Sequence, residues 1–295
     1  MIPYETHRII TTIDDKFALF TWGLIFFIAW SICGYFVYRQ AKRNRDMDVN
    51  TAMQLFLVGF VSVLLGARVF HFFGPWGHGT FLERLKDVFM PTGGWVAYGG
   101  IIFGIIFAYL YSKAKKISFL SYSNLLAPAI PLGIGLGRFG CFLSGCCHGA
   151  KTDLPWAVVR NGIHIHPSQL YHALGNMMVF VIMLELFRRH KSKSRYKGFL
   201  IFSVVLLYSI ARFITEFFRE YSAEVYSYGF TFSQIISLAL IFVIAPIMFV
   251  KHKKIKDTPI DKKTKKSYII ISIATILGIL STLFISTNFY PAEYE

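Results

Sequence analysis

Eight stretches of this chain are each long and apolar enough to cross a lipid bilayer: residues 17–38, 51–73, 93–111, 123–142, 167–187, 198–218, 230–250 and 267–290. A spanning helix needs about 20 mostly apolar residues. In lipid, every backbone N–H and C=O must be satisfied within the protein, which helices do locally. The pattern predicts an all-α, polytopic integral membrane bundle of about 7–8 transmembrane helices. Hydrophobic residues make up 55% of the 295, which argues against an ordinary soluble domain. The longest polar gap is about 20 residues, and neither an internal repeat nor a low-complexity tract stands out. The expected organisation is a seven-helix membrane domain over 1–250, a basic linker over 251–266, and a further helix with a short tail over 267–295.

A net charge of +15 raises the question of nucleic acid, but its distribution answers a different one. Of the 31 Lys and Arg, 21 fall in the loops 39–45, 113–116, 188–197 and 251–266. These are alternate loops, so the asymmetry follows the positive-inside rule. It predicts cytoplasmic basic loops, both termini on the non-cytoplasmic side, and no nucleic-acid partner. The basic loops also favour anionic lipid at the inner leaflet. The first hydrophobic segment lacks a basic leader and a small-residue cleavage site, so it reads as a retained helix.

Four arginines break the apolar pattern: Arg68, Arg138, Arg212 and Arg219. A charge inside a bilayer costs roughly 2.5 kcal/mol or more even on insertion scales. Such residues therefore point to a use, and arginine's planar fork suits a phosphate. The topology assigns each a depth. Arg68 lies about 17 residues along the second, outward-running segment, roughly 25 Å at 1.5 Å per residue. Arg138 and Arg212 lie in the outer parts of the fourth and sixth segments, Tyr98 near the start of the third, and His166 just before the fifth. All five share one level near the outer headgroups. Arg212, Glu216 and Arg219 are spaced i, i+4, i+7 and share a helix face. That face is either a self-neutralised ion cluster or an arginine oriented by Glu216 to grip an anion. Gly133, Gly135, Gly137, Gly140 and Gly145 crowd the fourth segment, allowing close helix packing or close approach of a ligand.

Several blocks together resemble the prolipoprotein diacylglyceryl transferase family. Residues 137–145, GRFGCFLSG, resemble its central signature, preceded by APAIPLG at 127–133. HPSQLY at 166–171 is similar to its downstream motif, and RFITEFFR at 212–219 to its late arginine motif. Gly66-Ala67-Arg68 resembles its Gly-Gly-Arg, and Gly93-Gly94 with Tyr98-Gly99-Gly100 its third-segment motif. The blocks cover roughly residues 20–250. The resemblance implies a bacterial inner-membrane enzyme with its active site toward the outer leaflet. Such an enzyme moves diacylglyceryl from phosphatidylglycerol to the lipobox cysteine of a preprolipoprotein signal peptide, forming a thioether and releasing glycerol phosphate. It implies Tyr98, Arg138, His166 and Arg212 as catalytic residues. It implies Arg68, Gly99, Gly100, Gly137, Gly140, Gln169, Tyr171, Glu216 and Arg219 as substrate-binding residues. The membrane lipid and the preprolipoprotein are the implied partners, and no cofactor is implied.

The chain departs from the family pattern in particular places. The family usually has His where Tyr98 stands, Asn at Cys141 and Glu at Cys146, and an eighth hydrophobic segment follows the usual seven. Tyr, with a pKa near 10, is a poorer base than His at neutral pH, which leaves His166 as the candidate base. Cys141, Cys146 and Cys147 cluster on the outer side, where an oxidising compartment permits a disulfide. The expected pair is Cys141 with Cys146 or Cys147. Packed free thiols, a thiol relay and metal ligation are the alternatives. The spacing of these cysteines with His148 and His166 is not a standard zinc pattern, so no metal is expected. Cys33 reads as a core residue, and His71, His78, His164 and His172 as lesser candidates. The rival functions are a thiol-redox or thiol-modifying membrane enzyme and a non-enzymatic lipid-binding protein.

Overall fold

The computed structural model describes residues 2–3, 9–13, 17–44, 47–73, 81, 96–192, 197–220, 226–227 and 229–255. The eighth segment at 267–290, most of the linker at 251–266, Gly93, Gly94, His78 and the Tyr98 side chain lie outside the described residues.

All seven predicted segments before the linker are helical. The helices are α1 (Thr21–Arg43), α2 (Val49–Phe73), α3 (Ala97–Ala114), α4 (Phe119–Leu126), α5 (Ala129–Leu143), α6 (Ser168–Ser192), α7 (Phe199–Glu216) and α8 (Phe232–Ile255). Five of these, α1, α2, α6, α7 and α8, are long and apolar enough to span, and α4 with α5 passes the same test only as a pair bent by 42°, as a broken span or a re-entrant loop. The protein is therefore a multi-pass, all-α membrane protein. The bend comes where Pro128 precedes α5, because proline lacks the N–H that would continue the ladder. The sequence predicts a single apolar stretch over 123–142, which the break at Pro128 divides between α4 and α5.

Two other boundaries differ from the hydropathy reading. Phe17–Phe20 is a strand, not the start of a helix, and pairs antiparallel with Ile9–Ile13. The β-branched run IITTI favours that pairing. Likewise Phe230–Thr231 pairs with Tyr226–Ser227 before α8 begins. Hydropathy alone cannot separate an apolar strand at a span's end from the helix that follows.

The outward side chains suit a lipid-facing surface: Phe27, Ile32, Leu57, Leu65, Ile105, Leu174, Val181, Phe242 and Phe249 are exposed. Inside, small polar groups satisfy themselves locally. The hydroxyls of Ser62, Ser112, Ser203 and Ser237 each donate to the carbonyl four residues earlier, as Ser and Thr do within apolar helices.

The chain forms two compact units, one from residues 1–33 and 127–295, the other from 34–126. In the second unit α2 and α3 meet on glycine. A Cβ on Gly66 would collide with the Gly99 carbonyl and one on Gly99 with the Gly66 carbonyl, while one on Gly100 would sit 2.8 Å from the Val63 carbonyl. This is the small-residue contact that lets membrane helices approach closely. In the first unit α6 and α7 pack around Ala127, Val179, Met183, Leu186, Phe199, Leu200 and Val204. A short sheet follows α5, with Val158–Arg160 antiparallel to Ile163–Ile165 and parallel to Ile2–Pro3.

Candidate active site

The charged centre of the first unit sits where α7 ends and α8 begins. Arg212 Nη2 lies 2.8 Å from Glu216 Oε2, and Arg219 Nη1 lies 3.8 Å from the same oxygen. The Thr231 hydroxyl donates to Glu216 Oε1 at 3.1 Å, and Arg212 Nη2 donates to the Ser233 hydroxyl at 3.1 Å. The Glu216 carboxylate has no exposed surface, while the arginine side chains keep 12% and 16% of theirs. One buried carboxylate thus faces two arginines whose side chains keep a little exposed surface. The helix start that supports it is a capping box, Thr231-Phe232-Ser233-Gln234. Gln234 N–H donates to the Thr231 hydroxyl at 3.3 Å and Thr231 N–H to Gln234 Oε1 at 2.9 Å. Such reciprocal caps fix where a helix begins, and here they fix the groups that hold Glu216.

Arg138 comes from α5 and is half-buried. Beside it, a Cβ on Gly137 would meet nothing within 4 Å, whereas one on Gly140 would touch Ile25 at 3.3 Å. Gly137 therefore borders open space, and Gly140 packs α5 against α1.

His172, a lesser candidate by sequence, is deeply buried in the same unit. It lies one turn into α6, is 2% exposed, and neither ring nitrogen has a hydrogen-bond partner among the described residues. Arg138, Arg212, Arg219 and Cys147 all act on its ring electrostatically. A buried polar group without a partner costs free energy, so its place among the three arginines asks for a function. In sequence it resembled any histidine on an apolar helix.

The loop between α5 and α6 is held from several sides. Ser168 Oγ donates to the Cys147 carbonyl at 3.0 Å, and Gln169 Nε2 to the Cys146 carbonyl at 2.7 Å. Gln169, expected to bind substrate, here positions the cysteine loop. His166 is buried by Tyr171 and Phe218, with ring centroids at 5.9 and 5.3 Å. Trp156 Nε1 donates to the Tyr171 hydroxyl at 2.8 Å, and that hydroxyl lies 3.3 Å from His166 Nδ1. Burial pushes His166 below its ordinary value, which keeps it neutral at pH 7. Gly149 threads between these parts. Its N–H donates to the His166 carbonyl at 3.1 Å, it bridges Arg219, and Ala150 N–H donates to the Phe218 carbonyl at 3.1 Å. A Cβ on Gly149 would come within 2.6 Å of the His166 carbonyl and strike that of Phe218. The motifs at 137–149, 166–171 and 212–219 are thus brought together in one unit.

The cysteines Cys141, Cys146 and Cys147 are free thiols whose sulfurs all lie within 4.8 Å of one another. The Cys147 thiol is held down by hydrogen bonds with Cys141 and Cys146, helped by Arg219 and Arg138. Cys146 is pushed up by sharing its proton with Cys141 and Cys147 and by burial. A negative charge on the cluster therefore rests most easily on Cys147. Cys33 lies apart, buried, with its sulfur 3.5 Å from the Ala129 carbonyl.

Arg68 is buried on α2, and Gly99 and Gly100 lie in the α2–α3 contact. Tyr98 belongs to the first turn of α3. These four belong to the other unit.

The family model described as prolipoprotein diacylglyceryl transferase matches residues 8–251. The chain belongs to this family. A relative from Finegoldia magna is 31% identical over 224 residues, covering 76% of this chain and 87% of that protein. Relatives from Clostridioides difficile and Idiomarina loihiensis are 32% and 31% identical, covering 69% and 79% of this chain and 82% and 88% of theirs. All three are named phosphatidylglycerol–prolipoprotein diacylglyceryl transferase. The Arg212–Glu216–Arg219 cluster, Arg138 and the HPSQLY segment all lie within the matched span.

Proposed function

We infer that this chain is a transferase that moves diacylglyceryl from phosphatidylglycerol to the lipobox cysteine of a prolipoprotein. The observation that carries the reading is the buried Arg212–Glu216–Arg219 group in the same unit as Arg138, in a member of this family. A phosphate at the headgroup level is an anion that arginine's planar fork suits. The acceptor thiolate attacks the glyceryl carbon bonded to the phosphate oxygen. A C–S bond forms, the C–O bond breaks, and its electron pair leaves with glycerol phosphate. Arg138 and Arg212 stabilise the charge that gathers on the leaving group, the usual use of fixed donors at a developing anion. Glu216 holds Arg212 in place, and Arg219 adds positive potential.

The thiol must first lose its proton, because the thiolate is the nucleophile. His172, a buried imidazole in the field of three arginines, fits a positioning role beside the site rather than the role of the base. His166 fits that role as a neutral imidazole at the outer edge, joined to Tyr171. Arg68, Tyr98, Gly99 and Gly100 enter the reading through the family motifs alone. The charge asymmetry of the loops supports placement in a bacterial cytoplasmic membrane, with both termini outside and the site toward the outer leaflet.

The deciding experiment supplies purified protein with phosphatidylglycerol and a lipobox peptide and weighs the peptide. The expected result is a mass gain of one diacylglyceryl group on the cysteine, with glycerol phosphate released. An unmodified peptide, under conditions where a family relative modifies it, rejects the reading.

A further inference from the structure

The family's activity leaves one feature without a role: three sulfurs at one point. Cys141 ends α5, and the chain then turns sharply. Gly145 has φ +70° and Cys147 φ +59°, both in the left-handed region that a non-glycine residue rarely adopts. These two turns bring Cys146 and Cys147 back toward Cys141. The strained backbone is clamped, since Gln169 and Ser168 hold the Cys146 and Cys147 carbonyls, and the Cys146 sulfur donates to the Cys141 carbonyl at 3.7 Å. Cys147 is exposed, while Cys141 and Cys146 are half-buried. The cluster is thus rigid at its base and open to water on one side.

We propose that Cys141, Cys146 and Cys147 form a three-thiolate binding site for a soft, thiophilic metal cation.

The spacing fits. A metal–sulfur bond of about 2.3 Å in trigonal or tetrahedral geometry sets its sulfurs roughly 3.8–4.0 Å apart. The three sulfurs already lie within 4.8 Å of one another, so small side-chain rotations close the site. The chemistry also fits, because thiolate donors select soft and borderline cations over magnesium or calcium. The charge balance does not stand against the site. With Cys147 as the thiolate, a divalent cation and the two remaining thiols give a tris-thiolate of net charge −1 and release two protons. The cluster carries the same charge empty and loaded, so Arg138 and Arg219, whose fields reach Cys147, oppose it equally in both states.

Cd²⁺ is a suitable probe, because cadmium–thiolate bonds absorb in the ultraviolet. The full-length protein in detergent is reduced with a phosphine, freed of reductant and titrated. One Cd²⁺ per chain is expected, with a thiolate absorption band. Affinity should fall at least tenfold in each of C141S, C146S and C147S, and should hold in C33S. Melting temperatures of the metal-free variants control for folding. A second readout needs no variant: Cd²⁺ should shield three thiols of the wild-type chain from alkylation, seen by intact mass. Absence of a stoichiometric band in the reduced protein overturns the site. So does an affinity that only one or two of the three serine variants weaken, or a wild-type chain in which Cd²⁺ shields fewer than three thiols. Neither readout depends on transferase activity, so its outcome is independent of the function proposed above.

Discussion

Arg212 and Glu216, one turn apart near the end of α7, form an ion pair of 2.8 Å whose carboxylate is fully enclosed. Such a pair is poor evidence for stability, because desolvation offsets much of the attraction. Its value is geometric. Thr231 fixes the carboxylate, the carboxylate fixes the guanidinium, and Arg219 shares the same oxygen. These contacts hold the Arg212 guanidinium in one orientation, as the phosphate site proposed above would need.

Replacement of the fork by a point charge tests that role. Arg138→Lys and Arg212→Lys should each lower transfer to a lipobox peptide roughly 100-fold to 1000-fold, the effect of losing a transition-state contact of about 2.7–4 kcal/mol. Both proteins should insert and melt as wild type. Arg188→Lys, on an exposed side chain beside Glu185, is the silent control. Near-normal turnover in both well-folded variants would remove the phosphate-clamp mechanism.

His172→Phe separates chemistry from packing. The substitution fills similar space and removes two buried nitrogens that have no partner. Melting temperature should hold or rise, since an unsatisfied polar group costs about 1–3 kcal/mol. Transfer should nonetheless fall roughly tenfold or more, the effect of losing a group that positions the reacting parts. Unchanged transfer would assign His172 to packing alone.

The stability of the loop between α5 and α6 should depend on pH through His166. Its folded value lies below the ordinary 6.5 because of burial, so the unfolded chain takes up the proton first. The contribution is whole above about 6.5 and is lost as pH falls through the folded value. The titratable group facing the ring is Tyr171, which stays neutral over this range. Thermal melts between pH 8 and 5 should show a decline that His166→Gln flattens. An identical slope in the variant would place the proton elsewhere.

Gly149→Ala should be among the most damaging small substitutions outside the charged cluster. Its Cβ would meet the Phe218 and His166 backbones, neither of which can swing aside. The bridge to Arg219 should break, with lowered melting temperature and transfer reduced with it. Gly137→Ala, facing open space, should melt close to wild type. Equal melting of the two variants would contradict the threading of the loop.

Hydropathy determined much of this protein in advance. The apolar runs named seven helical segments, because a bilayer leaves the backbone few choices. The intramembrane arginines pointed to an anion site, which the lysine substitutions above test. The blocks at 137–145, 166–171 and 212–219 named the family, which the comparisons bear out. Other features needed the fold. Hydropathy could not see the break at Pro128 or the strands at two span ends, because composition averages over local hydrogen bonding. It could not single out His172 among the histidines, because burial and the convergence of three arginines depend on which helices meet. Gln169 and Ser168 read as motif residues, yet they hold the cysteine loop from more than 20 residues away. The sulfur cluster depends on two left-handed backbone angles that no spacing rule encodes. Sequence fixes what each segment must bury, and tertiary packing decides which buried groups meet.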